Sequence, residues 1–102
     1  MDLDTLLLLI AFRRQPREPD AGAGHAQIEA IAGRPIDAAD FAAAIRRLLD
    51  GGLIYDPVFL AAGALQCQWR LEPTPEGFAV VQALMQKSGK SAGALIAELS
   101  SL

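Results

Sequence analysis

The chain has one cysteine and one histidine in 102 residues. A single thiol cannot build an internal disulfide framework, and one His with one Cys falls short of the ligand set of a zinc site. Long apolar runs are also missing. The greasiest stretch, Leu6-Leu7-Leu8-Leu9-Ile10-Ala11-Phe12, is far shorter than the roughly twenty residues of a membrane-spanning helix. It does not read as a secretory leader, because Asp2 and Asp4 precede it, Arg13-Arg14 follow it and no small-residue cleavage site comes after. The expectation is a cytoplasmic protein with no membrane partner. Cations are in short supply too: nine Lys and Arg against twelve Asp and Glu give a net charge of −3. That balance argues against a generic polyanion binder, while a local basic patch stays compatible with it. What is present is a globular composition, 52% apolar and 21% charged. The length suits a single domain, 1–102, burying roughly two thirds of its unfolded surface.

The hydrophobic periodicity predicts a first helix over 2–14, with Leu3, Leu6, Leu7 and Ile10 on one face. Leu8, Leu9 and Phe12 carry apolar surface around the cylinder, which predicts burial on more than one side. The second covering surface is expected to be another subunit. Residues 15–24, with Pro16, Pro19, Gly22 and Gly24, read as a loop. A short helix follows over 25–32, with Ile28 and Ile31 inward and Gly33 at its end. Asp37 is a suitable N-cap for a third helix over 38–50. Phe41, Ile45, Leu48 and Leu49 form its buried stripe, and Ala39, Asp40, Ala43, Arg46, Arg47 and Asp50 form the opposite face. Residues 53–60 read as a strand that Pro57 makes an edge. Residues 65–71 alternate, with Leu65, Cys67, Trp69 and Leu71 expected inward, so 53–71 is a hairpin. Thr74-Pro75 starts a fourth helix over 75–86. Ser91 caps a C-terminal helix over 92–102, with Leu95, Ile96, Leu99 and Leu102 on one side.

The predicted class is mainly α with a small β-hairpin (α+β), in the order helix-helix-helix-strand-strand-helix plus the C-terminal helix. Ile28, Ile31, Gly33, Ile36, Phe41, Ile45 and Leu48 resemble the buried frame and turn glycine of a helix-turn-helix. Gly52-Leu53-Ile54 resembles the segment leading from recognition helix to wing. Trp69-Arg70-Leu71 with Thr74-Pro75-Glu76-Gly77 resembles the close of a wing, with Glu72-Pro73 as two extra residues. In combination these are similar to winged helix-turn-helix domains of small PadR-like or MarR-like bacterial transcriptional regulators. The resemblance implies a DNA-binding homodimer with the third helix in the major groove and the hairpin on the backbone or minor groove, joined through the first and C-terminal helices.

On that reading the DNA-contact candidates are His25, Arg34, Ala39, Ala43, Arg46, Arg47 and Arg70. The residues also suit a second reading. Alanine offers bases no hydrogen bond, Asp37 and Asp40 meet phosphate repulsion, and Arg46 can pair with Asp50 at i, i+4. The hairpin tip, with Leu60, Ala61 and Ala62, carries no cation. This pattern fits a winged-helix protein-interaction module, an adaptor or inhibitor, with Leu8, Leu9, Phe12, Leu60, Ala61, Ala62, Leu95 and Leu99 as interface candidates. Nothing points to an enzyme, a cofactor or a metal. Ser88-Gly89-Lys90-Ser91 lacks the upstream glycine of a phosphate loop, since Leu84 stands there. Cys67 reads as a small core residue, His25 as a solvent-facing residue at a helix end, and the carboxylates as scattered surface groups.

Overall fold

The computed structural model describes residues 2–101. They form five helices and one small antiparallel sheet, in the order α1 (Asp2–Arg14), β1 (Arg17–Glu18), α2 (Ala21–Ala32), α3 (Ala38–Asp50), β2 (Val58–Phe59), β3 (Gln68–Arg70), α4 (Pro75–Ser88) and α5 (Ala92–Ser100). Leu102, expected on the inner side of the last helix, lies outside the described residues.

The helix starts are set by side chains that accept otherwise unpaired amides. Asp37 accepts from the Asp40 amide at 3.1 Å, Thr74 from Gly77 at 3.2 Å and Ser91 from Ala94 at 3.1 Å. Pro75 occupies the first turn of α4. α2 ends at Gly33, whose φ of 73° is the left-handed conformation that glycine adopts without strain. One start differs from expectation. α2 begins at Ala21 instead of residue 25, because the Asp20 carboxylate accepts from the Ala23 amide at 2.8 Å. α4 also runs two residues further than expected, to Ser88, where Gly89 caps it.

α1 is the axis of the domain. Leu6, Leu7, Leu8, Leu9, Ile10 and Ala11 are all buried, enclosed by contacts of α1 with α2, α3, α4 and α5. Leu6, Leu7, Leu9 and Ile10 are fully enclosed, and each contributes about 1.5–3 kcal/mol of transfer free energy. A helix apolar all round is therefore covered by its own chain. Leu8 and Leu9, expected to face a second subunit, are buried within their own chain. Phe12 is half-buried and meets Phe78 edge-on at 5.2 Å. Leu95 is buried, and Leu99 is half-buried against the same core. No helix among the described residues is long and apolar enough to cross a membrane.

The sheet has the order β1-β3-β2, so β2 is an edge, as Pro57 suggested. The third strand was not foreseen. Arg17 and Glu18 pair with Arg70 and Trp69 on the free side of β3, and the Leu71 amide donates to the Pro16 carbonyl at 3.0 Å. The hairpin is much less regular than its alternation implied. β2 pairs through Val58 with Trp69 and Phe59 with Gln68, and a lone bridge joins Ile54 to Pro73. Trp69 and Leu71 are buried, whereas Leu65 is 99% exposed and Cys67 is exposed. The reading of Cys67 as a core residue is overturned. The helices lie under the base of the hairpin only, so the outer half of the alternating segment has nothing to pack on.

If α1 is buried by its own chain, Leu9→Ala should lower the unfolding free energy by about 2–5 kcal/mol. The loss should be independent of protein concentration in urea denaturation. A midpoint that falls only on dilution would instead place Leu9 between subunits.

Candidate functional site

α3 divides its residues between two faces. Phe41, Ala44 and Leu48 are buried, with Ile45 and Leu49 half-buried beside them. Ala39, Asp40, Ala42, Ala43, Arg46, Arg47 and Asp50 are exposed. Apart from Ala42, this outer face follows from helical spacing, and so does the pairing of Arg46 with Asp50; the role of Arg47 does not. Arg46 Nε lies 3.4 Å from Asp50 Oδ1, an exposed i, i+4 pair. Arg47 leaves the helix surface to grip α1: its Nε donates to Asp4 Oδ2 at 2.8 Å and its Nη2 to Asp4 Oδ1 at 2.7 Å. Asp4 is buried, and the Arg47 hydrogen bonds and charge hold its carboxyl below the usual carboxylate range, against the opposing effect of burial. Sequence reasoning missed this pair. Its signal was an acid one turn before Leu7 and Leu8 on a helix with little free surface, since a carboxylate placed there needs a cation.

Beside α3 an apolar groove of about 400 Å³ separates it from the hairpin, lined by His25, Phe41, Ala42, Ile45, Val58 and Trp69 among others. His25 stacks on Phe41 at 4.6 Å, and Phe41 tilts against Trp69 at 6.3 Å. His25 is half-buried inside α2, not at a solvent-facing helix end. Its Nε2 donates to the Ile36 carbonyl at 2.7 Å, and Glu29 Oε2 accepts from the Ile36 amide at 2.8 Å. These two bonds fasten the α2–α3 turn and hold the imidazole as part of the groove wall. Gly24 explains how close α2 comes to the sheet. A Cβ there would stand 2.5 Å from Trp69 Cδ2, on a ring only 3% exposed.

The remaining candidates are dispersed. Arg34 is half-buried in the α2–α3 turn, and its Nε has no hydrogen-bond partner among the described residues. Arg70 donates from Nε to the Asp56 carbonyl at 3.1 Å and lies over the Tyr55 and Phe59 rings at 5.3 and 4.8 Å. Arg17, not singled out from the sequence, covers Phe59 at 5.3 Å and pairs with Glu72 at 3.4 Å. The hairpin carries most of the large apolar side chains exposed among the described residues. Tyr55, Val58, Leu60 and Leu65 are there, and Val80 lies on α4. Leu60 is 60% exposed, Ala62 is exposed and Ala61 is half-buried. Among the described residues no group of three or more His, Cys, Asp or Glu side chains is placed to hold a metal ion.

No protein-family model matches the chain, and no curated protein and no solved structure is detectably similar to it.

The Asp4–Arg47 pair should make stability pH-dependent. The native carboxyl is depressed below its ordinary value of 3.8, so its contribution is complete above that pH and is lost as the pH falls through the native value. Denaturation of the wild type and Asp4→Asn across the acid range should show curves that converge as the pH drops. Parallel curves would mean that the pair contributes nothing. Gly24→Ala should destabilise by about 1–3 kcal/mol through overpacking against Trp69, outweighing the helix-propensity gain of up to about 1 kcal/mol. Thermal melting in the presence of urea would measure it.

Proposed function

We propose that the chain is a winged-helix protein-interaction module that docks a partner protein on α3, the adjoining groove and the hairpin. The winged-helix reading rests on the succession of α2, a glycine turn, α3, the β2–β3 hairpin and α4, with α1 running beneath them. The observation that carries the protein-binding reading is the pairing of an apolar, open groove with a charge-balanced α3 face. Arg47 is committed to a buried carboxylate and Arg46 faces Asp50. DNA affinity depends on cations free to neutralise phosphates, and α3 has few to offer. Val58 is 56% exposed at the rim of the groove, and Leu60 and Leu65 are further apolar side chains exposed on the hairpin. Exposed apolar side chains beside an apolar groove are what protein interfaces use. The groove would take an apolar side chain of the partner, with Phe41 and Trp69 as its floor.

A second reading is supported by the Arg46–Asp50 pair. Its two side chains are 73% and 64% exposed, so it opens at little cost. Arg46 could then meet a phosphate, in a winged-helix DNA-binding regulator with His25, Arg34 and Arg70 as flanking contacts.

Affinity capture from the source organism with Val58→Asp and Ala43→Glu as controls separates the two. The protein-binding reading expects a partner retained by the wild type and reduced roughly tenfold or more by either variant. Retention of no partner, or capture indifferent to both variants, would refute it. Duplex binding at low salt that Arg46→Ala weakens, with a salt slope reduced by about one, would establish the DNA reading instead.

A further inference from the structure

The sheet packs on the helices through Trp69, which is buried. Side chains alternate along a strand, so Arg70 turns to the opposite, outer face of β3. Arg17 is its direct partner across the β1–β3 ladder, and two cations therefore stand side by side on that face. Like charges in direct register weaken a sheet, and only one of these two has an acid to answer it. Arg17 Nη2 lies 3.4 Å from Glu72 Oε1, with the Arg17 side chain 60% exposed. Arg70 makes no ion pair among the described residues. Its Nε is held by the Asp56 carbonyl, and its guanidinium rests over the Tyr55 and Phe59 rings. Both guanidinium carbons lie within 5.3 Å of the centre of the one Phe59 ring.

We propose that the Arg17–Arg70 pair is a carboxylate-binding site, which takes a Glu or Asp side chain flanked by apolar residues in the partner protein. The proposal rests on reading the hairpin as part of a partner surface, and it names the chemistry that this part of the surface selects. Arg70 is fixed at Nε and between rings, so it offers its two Nη groups as a ready fork for the two oxygens of a carboxylate. The contact of Arg17 with Glu72 is long and exposed, so Arg17 can turn to the same ligand at little cost. A bound carboxylate removes the repulsion between the two cations. Tyr55, 41% exposed, and half-buried Phe59 supply apolar surface for the residues beside the acid. The neighbouring acids favour a single negative charge. Glu72 stands against Arg17, and Asp56, whose Oδ1 accepts from the Val58 amide at 3.0 Å, lies at the base of the site. Against these two carboxylates a phosphate dianion or a nucleic-acid strand meets more repulsion than one carboxylate does.

The test is a titration of isotope-labelled protein followed by NMR, with three probes: the acetylated and amidated tripeptide Leu-Glu-Leu, its Leu-Gln-Leu counterpart, and inorganic phosphate. The Glu peptide should shift the Nε–H signals of Arg17 and Arg70 with a millimolar Kd. The Gln peptide and phosphate should bind roughly tenfold or more weakly. Arg70→Gln should weaken the Glu peptide roughly tenfold, and Arg70→Lys, which keeps the charge and loses the fork, roughly fivefold. Both variants should keep the wild-type circular dichroism. Absence of a shift at either arginine with the Glu peptide overturns the site. So does a Gln peptide or phosphate that binds as tightly, or an Arg70→Gln protein that binds the Glu peptide unchanged. The titration needs no partner. A protein that binds the Glu peptide and captures no partner refutes the partner reading and leaves the carboxylate site standing. A protein that captures a partner and ignores the Glu peptide refutes the site alone.

Discussion

The enclosure of α1 is the constraint on which the other features depend. Six successive residues, Leu6 to Ala11, are removed from water on every side of one helix, so no face of α1 is left over for solvent. Four helices have to surround it, and together they leave the sheet only a place at the edge. Among the described residues, the one buried charged side chain in this arrangement is that of Asp4. Its cost is offset by two charge-assisted hydrogen bonds from Arg47, which couple α1 to α3.

That coupling changes the character of the α3 surface. An arginine pointing outward would be one of the two donors this helix could present to a nucleic acid. Drawn back to Asp4 it becomes a strut, and the exposed face is left with alanines and a locally balanced pair. The same economy of packing material shapes the hairpin. Trp69 is clamped between Gly24 of α2 and Phe41 of α3, and this anchors β3. Beyond it the chain has no helix to lie on, so Leu60 and Leu65 stay in water. The groove and the apolar hairpin are thus two consequences of one geometry, in which a small core is consumed by α1.

Much of the helical framework was legible from local chemistry. Asp37, Thr74 and Ser91 as caps and Gly33 as a terminator each act within a few residues of their own backbone, so spacing alone identifies them. The inward stripe of α3 was legible for the same reason, as was the i, i+4 pairing of Arg46 with Asp50. The failures have a different origin. β1 is two residues long and exists only because the free side of β3 is present to accept it, 53 residues away in sequence at the Arg17 and Arg70 pairing. The burial of Leu65 and Cys67 was inferred from alternation. Alternation reports which residues share a face, not whether anything covers that face.

For the candidate site the division is the same. Sequence determined which residues line the outer side of α3, that its first turns offer no donors to a base, and that the hairpin tip carries no cation. These follow from helical period and side-chain chemistry. Tertiary structure alone decided that Arg47 serves Asp4, that His25 walls a groove instead of facing water, and that α1 is enclosed by the other helices of its own chain. Each of these is a contact between distant segments. Its existence depends on how much apolar surface the whole chain has available to cover every other part, a quantity that no local window of residues contains.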